Sequence, residues 1–133
     1  MNILMLLIPS MEVKHLLNTS TLRQTIEVFD DTGYTALPII NSESEYINTI
    51  AEGDVLRYLK RNMNLNMAST EKINLKDIVI KRPVKAISVF EDIDNLLELV
   101  LEQNFIPVVD ALNHFIGIVT RKRIIKYLMD NNK

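Results

Sequence analysis

A threonine followed by three basic residues stands between two apolar segments near the C-terminus. Residues 115–119 have apolar side chains on both faces at strand spacing, which predicts a strand that is covered on both sides. The next segment has helical spacing, and Thr120 is suited to cap its first turn. Arg121, Lys122 and Arg123 would oppose the dipole of that helix. Their position therefore favours an anion bound at the helix N-terminus.

The same stretch occurs twice in the chain. Pro38 and Pro107 lie 69 residues apart, and at this offset the chain matches itself without a gap. The matched segments are 37–41 with 106–110, 46–47 with 115–116, and 55–59 with 124–128. The chain is a tandem duplication.

Composition and charge exclude several classes of protein. The chain has 133 residues, 47% of them hydrophobic, which is ample for a packed core. A net charge of −2 does not suit a dedicated nucleic-acid binder. The absence of cysteine excludes disulfides and thiolate chemistry. The apolar run at residues 3–8 stops at Pro9 and is too short for a bilayer. We predict a soluble, cytoplasmic protein with no nucleic-acid or membrane partner.

Each copy is predicted to contain a strand, a helix, two strands and a helix. In the first copy these are residues 13–17, a helix capped by residues 18–20 and ended by Gly33, then 36–40, 46–51 and 53–63. In the second they are 84–88, 92–103, 106–109, 115–119 and 121–129. We predict a first repeat at 1–63, a connector at 64–79 and a second repeat at 80–133. One unit is near the lower size limit for its own core, so the two should pack together.

The motifs of this unit resemble the CBS domain. The middle strand of each copy carries Leu/Ile-Pro-hydrophobic-hydrophobic-Asn/Asp at Pro38 and Pro107, and the second copy closes with Gly117-Ile118-Val119-Thr120. Two such units in tandem look like a Bateman module, and the resemblance covers almost the whole chain. It implies an α/β fold of two β-α-β-β-α repeats packed with pseudo-twofold symmetry. It also implies a regulatory protein that binds adenosine-containing ligands between the repeats and pairs into homodimers.

The family's phosphate and ribose motif is Gly-x-x-Ser/Thr-x-x-Asp, and neither copy has all of it. The first copy has Asn48 and Ala51 in place of the first two residues and keeps Asp54. The second keeps Gly117 and Thr120 and has Arg123 where the aspartate belongs.

The resemblance implies two crossed clefts, each built from both repeats. One combines Val13, Lys14, His15, Tyr34, Thr35 and Ala36 with Thr120, Arg121, Lys122 and Arg123. The other combines Lys85, Ala86, Asn104, Phe105 and Ile106 with Asp54. We predict the nucleotide in the first cleft, because arginine makes paired hydrogen bonds with phosphate.

A narrower likeness concerns the first cleft. Residues 33–38, the Val13-x-His15 spacing and residues 120–122 look like stand-alone Bateman proteins of Gram-positive bacteria, some of which bind cyclic di-AMP. The resemblance therefore implies AMP, ADP, ATP or cyclic di-AMP as regulatory ligand, with no further cofactor, and a regulated partner protein.

Simpler interpretations of the same residues remain open. Thr120 can be a helix cap alone, the basic residues a solvated face, and Asp54 a first-turn carboxylate favoured by the helix dipole. His114 is expected in solvent, as are Arg57 and Lys126 unless a partner chain covers them. No metal site is predicted, because neither histidine has a carboxylate at ligand-like spacing.

Two other functions are open at this stage. The incomplete motifs allow a structural or interaction module that dimerises and has ligand-free clefts. An enzyme is disfavoured, because the sequence has no glycine-rich phosphate loop and no recognisable Ser-His or Cys-His arrangement.

Overall fold

The computed structural model describes residues 2–62, 64 and 66–131. The predicted boundaries at Met63 and Lys133 lie outside the described residues. The chain divides into two units. Unit 1 comprises residues 1–14, 43–46 and 84–133, and unit 2 comprises residues 15–42 and 47–83.

The described residues form seven strands and five α-helices. In order they are β1 (Ile8–Pro9), β2 (Leu16–Leu17), α1 (Leu22–Thr32), β3 (Ala36–Ile40), β4 (Tyr46–Ala51), α2 (Glu52–Arg61), α3 (Met67–Thr70), β5 (Ile87–Ser88), α4 (Ile93–Val100), β6 (Phe105–Val109), β7 (Phe115–Thr120) and α5 (Arg121–Asp130), within the described residues. Short 3-10 helices cover Ile3–Leu6, Ser10–Glu12 and Leu75–Asp77. No helix of the described ranges has the length and apolar character that crossing a membrane requires.

Unit 2 contains a sheet in the order β2-β3-β4. Strand β2 runs parallel to β3, with Leu16 opposite Ile39. The core of this unit includes Leu22, Leu37 and Ile50, all fully buried. These side chains come from α1, β3 and β4, so one helix covers one face of the sheet through its apolar stripe.

Unit 1 contains a sheet in the order β1-β7-β6-β5. Strands β6 and β7 form an antiparallel hairpin, and β5 runs parallel to β6. Strand β1 adds to the outer edge of β7, with Pro9 opposite Gly117. Ile3 and Leu6, just before β1, lie in the core of this unit together with Val119 of β7 and Ile124 of α5. The N-terminal segment is therefore an integral part of unit 1.

Two hairpin turns pair with each other inside unit 1. Ser44 and Asn113 have positive φ angles of 64° and 66°, and they are equivalent residues of the two copies. The Phe115 amide donates to the Ser44 carbonyl oxygen at 2.8 Å, and the Tyr46 amide donates to the Asn113 carbonyl oxygen at 3.1 Å. Both turns thus have a left-handed backbone conformation at the equivalent position, which the repeat offset alone did not indicate.

Several predicted strands and helices were longer than the observed ones. The strand predicted at 13–17 is β2, and the one predicted at 84–88 is β5, which begins only at Ile87. The helix predicted at 92–103 ends at Val100. Gln103 accounts for the late start of β5, because its side chain bonds the Lys85 amide and the carbonyl oxygens of Lys85 and Phe105. These bonds take the place of a strand neighbour at Lys85.

Helix α1 does not begin at the predicted cap. The cap is Thr21, whose hydroxyl accepts the Gln24 amide at 3.1 Å, while the Gln24 side chain accepts the Thr21 amide at 2.9 Å. This reciprocal capping box satisfies two free amides at once, which residues 18–20 do not. The predicted C-cap is confirmed, since Gly33 has a φ of 69°.

The predicted connector contributes to the core of unit 2. It contains α3 and the 3-10 helix Leu75–Asp77. Leu75 and Ile78 are buried with α1 and β3 residues.

Candidate functional site

Thr120 is the N-cap of α5, as the sequence predicted. Its hydroxyl accepts the Arg123 amide at 3.2 Å. The Arg121 amide donates to the carbonyl oxygen of Asn104 at 2.9 Å. Two of the first amides of α5 therefore have protein partners, which reduces the number that point at a ligand.

Both arginines after Thr120 bind backbone carbonyl oxygens of unit 1. Arg121 Nε donates to the Val100 oxygen at 2.8 Å, at the C-terminal end of α4. Arg123 donates to the carbonyl oxygen of Leu7 at 3.3 Å. A cation at a helix C-terminus is favourable, so Arg121 stabilises α4 while it opposes the dipole of α5. These contacts explain two of the three basic residues without a ligand.

Lys122 differs from its two neighbours. Its side chain is exposed and makes no hydrogen bond or ion pair with the described part of the chain. Of the predicted basic group, it is the side chain that an incoming anion meets without displacing a protein contact.

The residues of the first predicted cleft come from both units. Val13, Lys14 and residues 120–123 belong to unit 1, whereas His15 and residues 34–36 belong to unit 2. Tyr34 is 48% exposed, and its amide donates to the Thr32 hydroxyl. The assembly of these residues into one ligand cleft stays a prediction.

His15 lies at a cavity of about 580 Å³ within unit 2. Its walls come from β2, α1 and the turn between them, and they include the polar side chains Thr19, Ser20 and Gln24 and the acidic Glu27 and Asp31. The cavity is large enough for a small molecule. Its acidic character does not suit the phosphate of a nucleotide.

The second predicted cleft is also drawn from both units. Lys85, Ala86, Asn104, Phe105 and Ile106 belong to unit 1, and Asp54 belongs to unit 2. Ile106 is fully buried in the core of unit 1. This grouping stays a prediction as well.

Asp54 is buried, with only 3% of its surface exposed. One carboxylate oxygen accepts the Ala51 amide at 2.8 Å; the other accepts Arg57 at 2.5 Å and the Lys81 amide at 3.3 Å. Arg57, which was expected to face solvent or a partner chain, is partly exposed and also has a protein partner. It pairs with Asp54 one turn earlier, because residues three apart lie on one helix face.

A second cavity of about 300 Å³ opens beside this ion pair within unit 2. Its lining residues are Asp54, Arg57, Tyr58, Arg61, Asn62, Asp77, Val79 and Lys81. Sequence reasoning missed it, although Arg57 and Arg61 at helical i, i+4 spacing were a signal. Lys81 and Asp77 join them only through the path of the chain after α3.

His114 is paired with an acidic residue and is not simply solvated. Its Nδ1 lies 3.0 Å from Asp110 Oδ2. Asp110 also accepts the amides of His114 and Leu112, each at 2.9 Å. The His114 amide bond, which favours the charged carboxylate, lowers the pKa of Asp110 below its ordinary value of 3.8. This pair caps the β6–β7 turn, and no group of three potential metal ligands occurs among the described residues.

Gly117 has a structural reason to be glycine. Its φ is +152°, and a Cβ there would lie 2.1 Å from the backbone oxygen of Ile8. Gly117 is the first residue of the predicted phosphate motif in the second copy. Because it has no side chain, β1 can pair with β7 at the edge of the sheet.

Comparison with family models decides the family. The CBS domain model matches residues 8–61 and again residues 75–130. The chain belongs to the CBS domain family. Comparison with curated protein sequences gives no significant match.

Solved structures agree with a tandem CBS fold. The chain is similar to CbpB in complex with c-di-AMP, at 22% identity and a TM-score of 0.87, covering 98% of this chain and 85% of that one. It is similar to a CBS domain protein from Streptococcus pneumoniae TIGR4, at 25% identity and a TM-score of 0.84, covering 95% and 85%. It is also similar to CBSX2 in complex with AMP, at 17% identity and a TM-score of 0.76, covering 99% and 98%. These matches confirm the predicted α/β fold of two CBS repeats and the likeness to stand-alone CBS-pair proteins.

Proposed function

We propose that this tandem CBS protein is a regulatory module that binds an adenine nucleotide between its repeats and signals to a partner protein. The observation that carries the proposal is the tandem CBS architecture itself, since two repeats account for most of the chain. CBS-pair structures with TM-scores of 0.87 and 0.76 hold c-di-AMP and AMP. The candidate ligands are AMP, ADP, ATP and cyclic di-AMP, and the proposed site is the cleft with residues 13–15, 34–36 and 120–123.

Signalling requires that the ligand distinguish two shapes of the protein. A ligand shifts a conformational equilibrium only by the difference in its affinity for the two states. We expect the nucleotide, added at a saturating concentration, to change the small-angle scattering profile of the protein. A partner protein would then bind one of the two shapes more tightly.

Isothermal titration with AMP, ATP and cyclic di-AMP tests ligand binding. Lys122→Ala removes a charge from the proposed phosphate end without breaking a contact seen in the structure. It should lower the affinity for the nucleotide by about tenfold, as expected for the loss of a charge-assisted hydrogen bond. Lys126→Ala, one turn further along α5 and also exposed, is the matched control and should bind as the wild type does. A folded protein that binds none of the three nucleotides would refute the sensing function.

A second function has its own support in the structure. Asp54, Arg121 and Arg123 are each engaged by protein groups, as a scaffold with ligand-free clefts would have them. Leu56 and Ile125, equivalent residues of α2 and α5, are 68% and 49% exposed. Exposed apolar side chains on both helices suit a homodimer interface.

Light scattering after gel filtration tests the homodimer. The wild type should have twice the mass of one chain, and Ile125→Glu should lower that mass, because a carboxylate in an apolar interface is costly to desolvate. Lys126→Glu places the same group on the adjacent residue as a control. A stable dimer that ignores every nucleotide would favour the scaffold over the sensor.

A further inference from the structure

We infer that the 300 Å³ cavity beside the Asp54–Arg57 pair is a phosphate-binding site within unit 2. Its recognition groups are the side chains of Arg61 and Lys81. Asp54 also belongs to the second predicted cleft, so a nucleotide as the source of the phosphate rests on the proposed function. The other arguments for this site concern unit 2 alone.

Asp54 is committed to the protein. Both of its oxygens accept hydrogen bonds from protein donors, and 3% of its surface is exposed. A carboxylate offers about four acceptor positions, and protein donors occupy three of them in Asp54. With 3% of its surface exposed, the remaining position is poorly accessible to a ribose hydroxyl. The cavity is therefore poorly suited to ribose recognition through Asp54.

The remaining charges of the cavity favour an anion. The pairing of Arg57 with Asp54 neutralises both groups locally. Arg61, Lys81 and Asp77 remain, and their side chains make no hydrogen bond or ion pair with the described residues. Arg61 and Lys81 carry two positive charges and Asp77 carries one negative charge. The lining of the cavity therefore has one positive charge in excess, which attracts an anion.

Phosphate fits the geometry of these groups. An arginine fork makes two parallel hydrogen bonds to phosphate oxygens, and a lysine ammonium supplies a compact charge. The volume of about 300 Å³ is at the lower end of ligand sites, which suits one or two phosphate groups. Free phosphate or pyrophosphate and the phosphates of a nucleotide share this chemistry.

Titration with pyrophosphate and with ATP, followed by amide chemical shifts of the full chain, tests the site. Shifts should centre on residues 57–62 and 77–81. Arg61→Ala should weaken binding by about three- to tenfold, and Asp77→Asn should strengthen it by about two- to threefold, because it removes the opposing charge. Lys60→Ala, on the same turn of α2 but outside the cavity, should leave the affinity unchanged.

The two titrants separate the sources of phosphate. If both variants change the affinity for pyrophosphate, the site binds the free anion. If they change only the affinity for ATP, the phosphate is carried by a nucleotide. Either result supports the site. ATP binding that is indifferent to Arg61→Ala and Asp77→Asn would overturn this inference and leave the proposed sensing function intact. A lack of any shift at residues 57–62 with either titrant would also overturn it.

Discussion

The backbone oxygen of Ile8 lies where a side chain at Gly117 would begin, 2.1 Å from the position of its Cβ. This contact arises because β1 pairs with the edge of β7 at that residue. The second-copy glycine is thus needed by the N-terminal segment of unit 1. Asn48, the equivalent residue of the first copy, has a side chain.

Gly117→Ala should destabilise the protein strongly. A methyl group there forces β1 away from β7 and requires a positive φ, so we expect a loss of about 3 kcal/mol. Urea unfolding followed by circular dichroism measures it. Gly53→Ala is the control, since its Cβ would meet only the Arg57 guanidinium at 3.4 Å within a helix. It should be neutral or stabilising by up to about 1 kcal/mol, and equal effects of the two variants would contradict our account of β1.

Thr120→Ala should cost about 1 kcal/mol of stability, because the Arg123 amide loses its hydroxyl partner. Thr120→Ser keeps the hydroxyl and should restore most of that loss. Thermal unfolding without nucleotide compares the two variants. If serine and alanine are equally destabilising, the methyl group is what matters, and the capping account fails.

Asp54→Ala should destabilise unit 2 by about 2–4 kcal/mol even in the absence of any ligand. Three donors, from Ala51, Arg57 and Lys81, lose their acceptor in this variant. Denaturant unfolding gives the difference. Glu52→Ala, an exposed carboxylate in the first turn of the same helix, should cost less than about 1 kcal/mol. An Asp54→Ala protein as stable as the wild type would contradict this structural role of the carboxylate.

The turn at Asp110 should add an acid-dependent part to stability. The pKa of Asp110 is lowered in the folded protein, chiefly by the hydrogen bond from the His114 amide. Its contribution is fully present above the ordinary pKa of 3.8 and is lost as the pH falls toward the lower folded value. Unfolding midpoints measured between neutral pH and strong acid should therefore fall less steeply for Asp110→Asn than for the wild type.

Asp130→Asn serves as the charge control for that series, because Asp130 lies exposed at the end of α5. It should keep the acid dependence of the wild type. The same slope for Asp110→Asn and for the wild type would show that the turn bonds do not favour the charged carboxylate.

Much of the fold was predictable from periodicity and self-similarity. The 69-residue repeat and the apolar pattern predicted the bounds of β3, β4 and β7 closely, because longer buried strands have a strong local pattern of apolar residues. The short parallel strands β2 and β5 were predicted too long. For β5 the start is set by the bonds between Gln103 and Lys85 rather than by local sequence. The family likeness likewise followed from short motifs, and two model matches confirm it.

The chain's own sequence determined that this is a duplicated α/β protein, that Thr120 caps a helix and that basic residues follow it. Only the tertiary structure decided what those residues contact. Arg121 and Arg123 reach carbonyl oxygens from Val100 and Leu7, and Asp54 gathers donors from two segments. Charge and spacing indicate that a side chain needs partners. Which partners it has depends on chain segments that are distant in sequence, and folding alone brings them together.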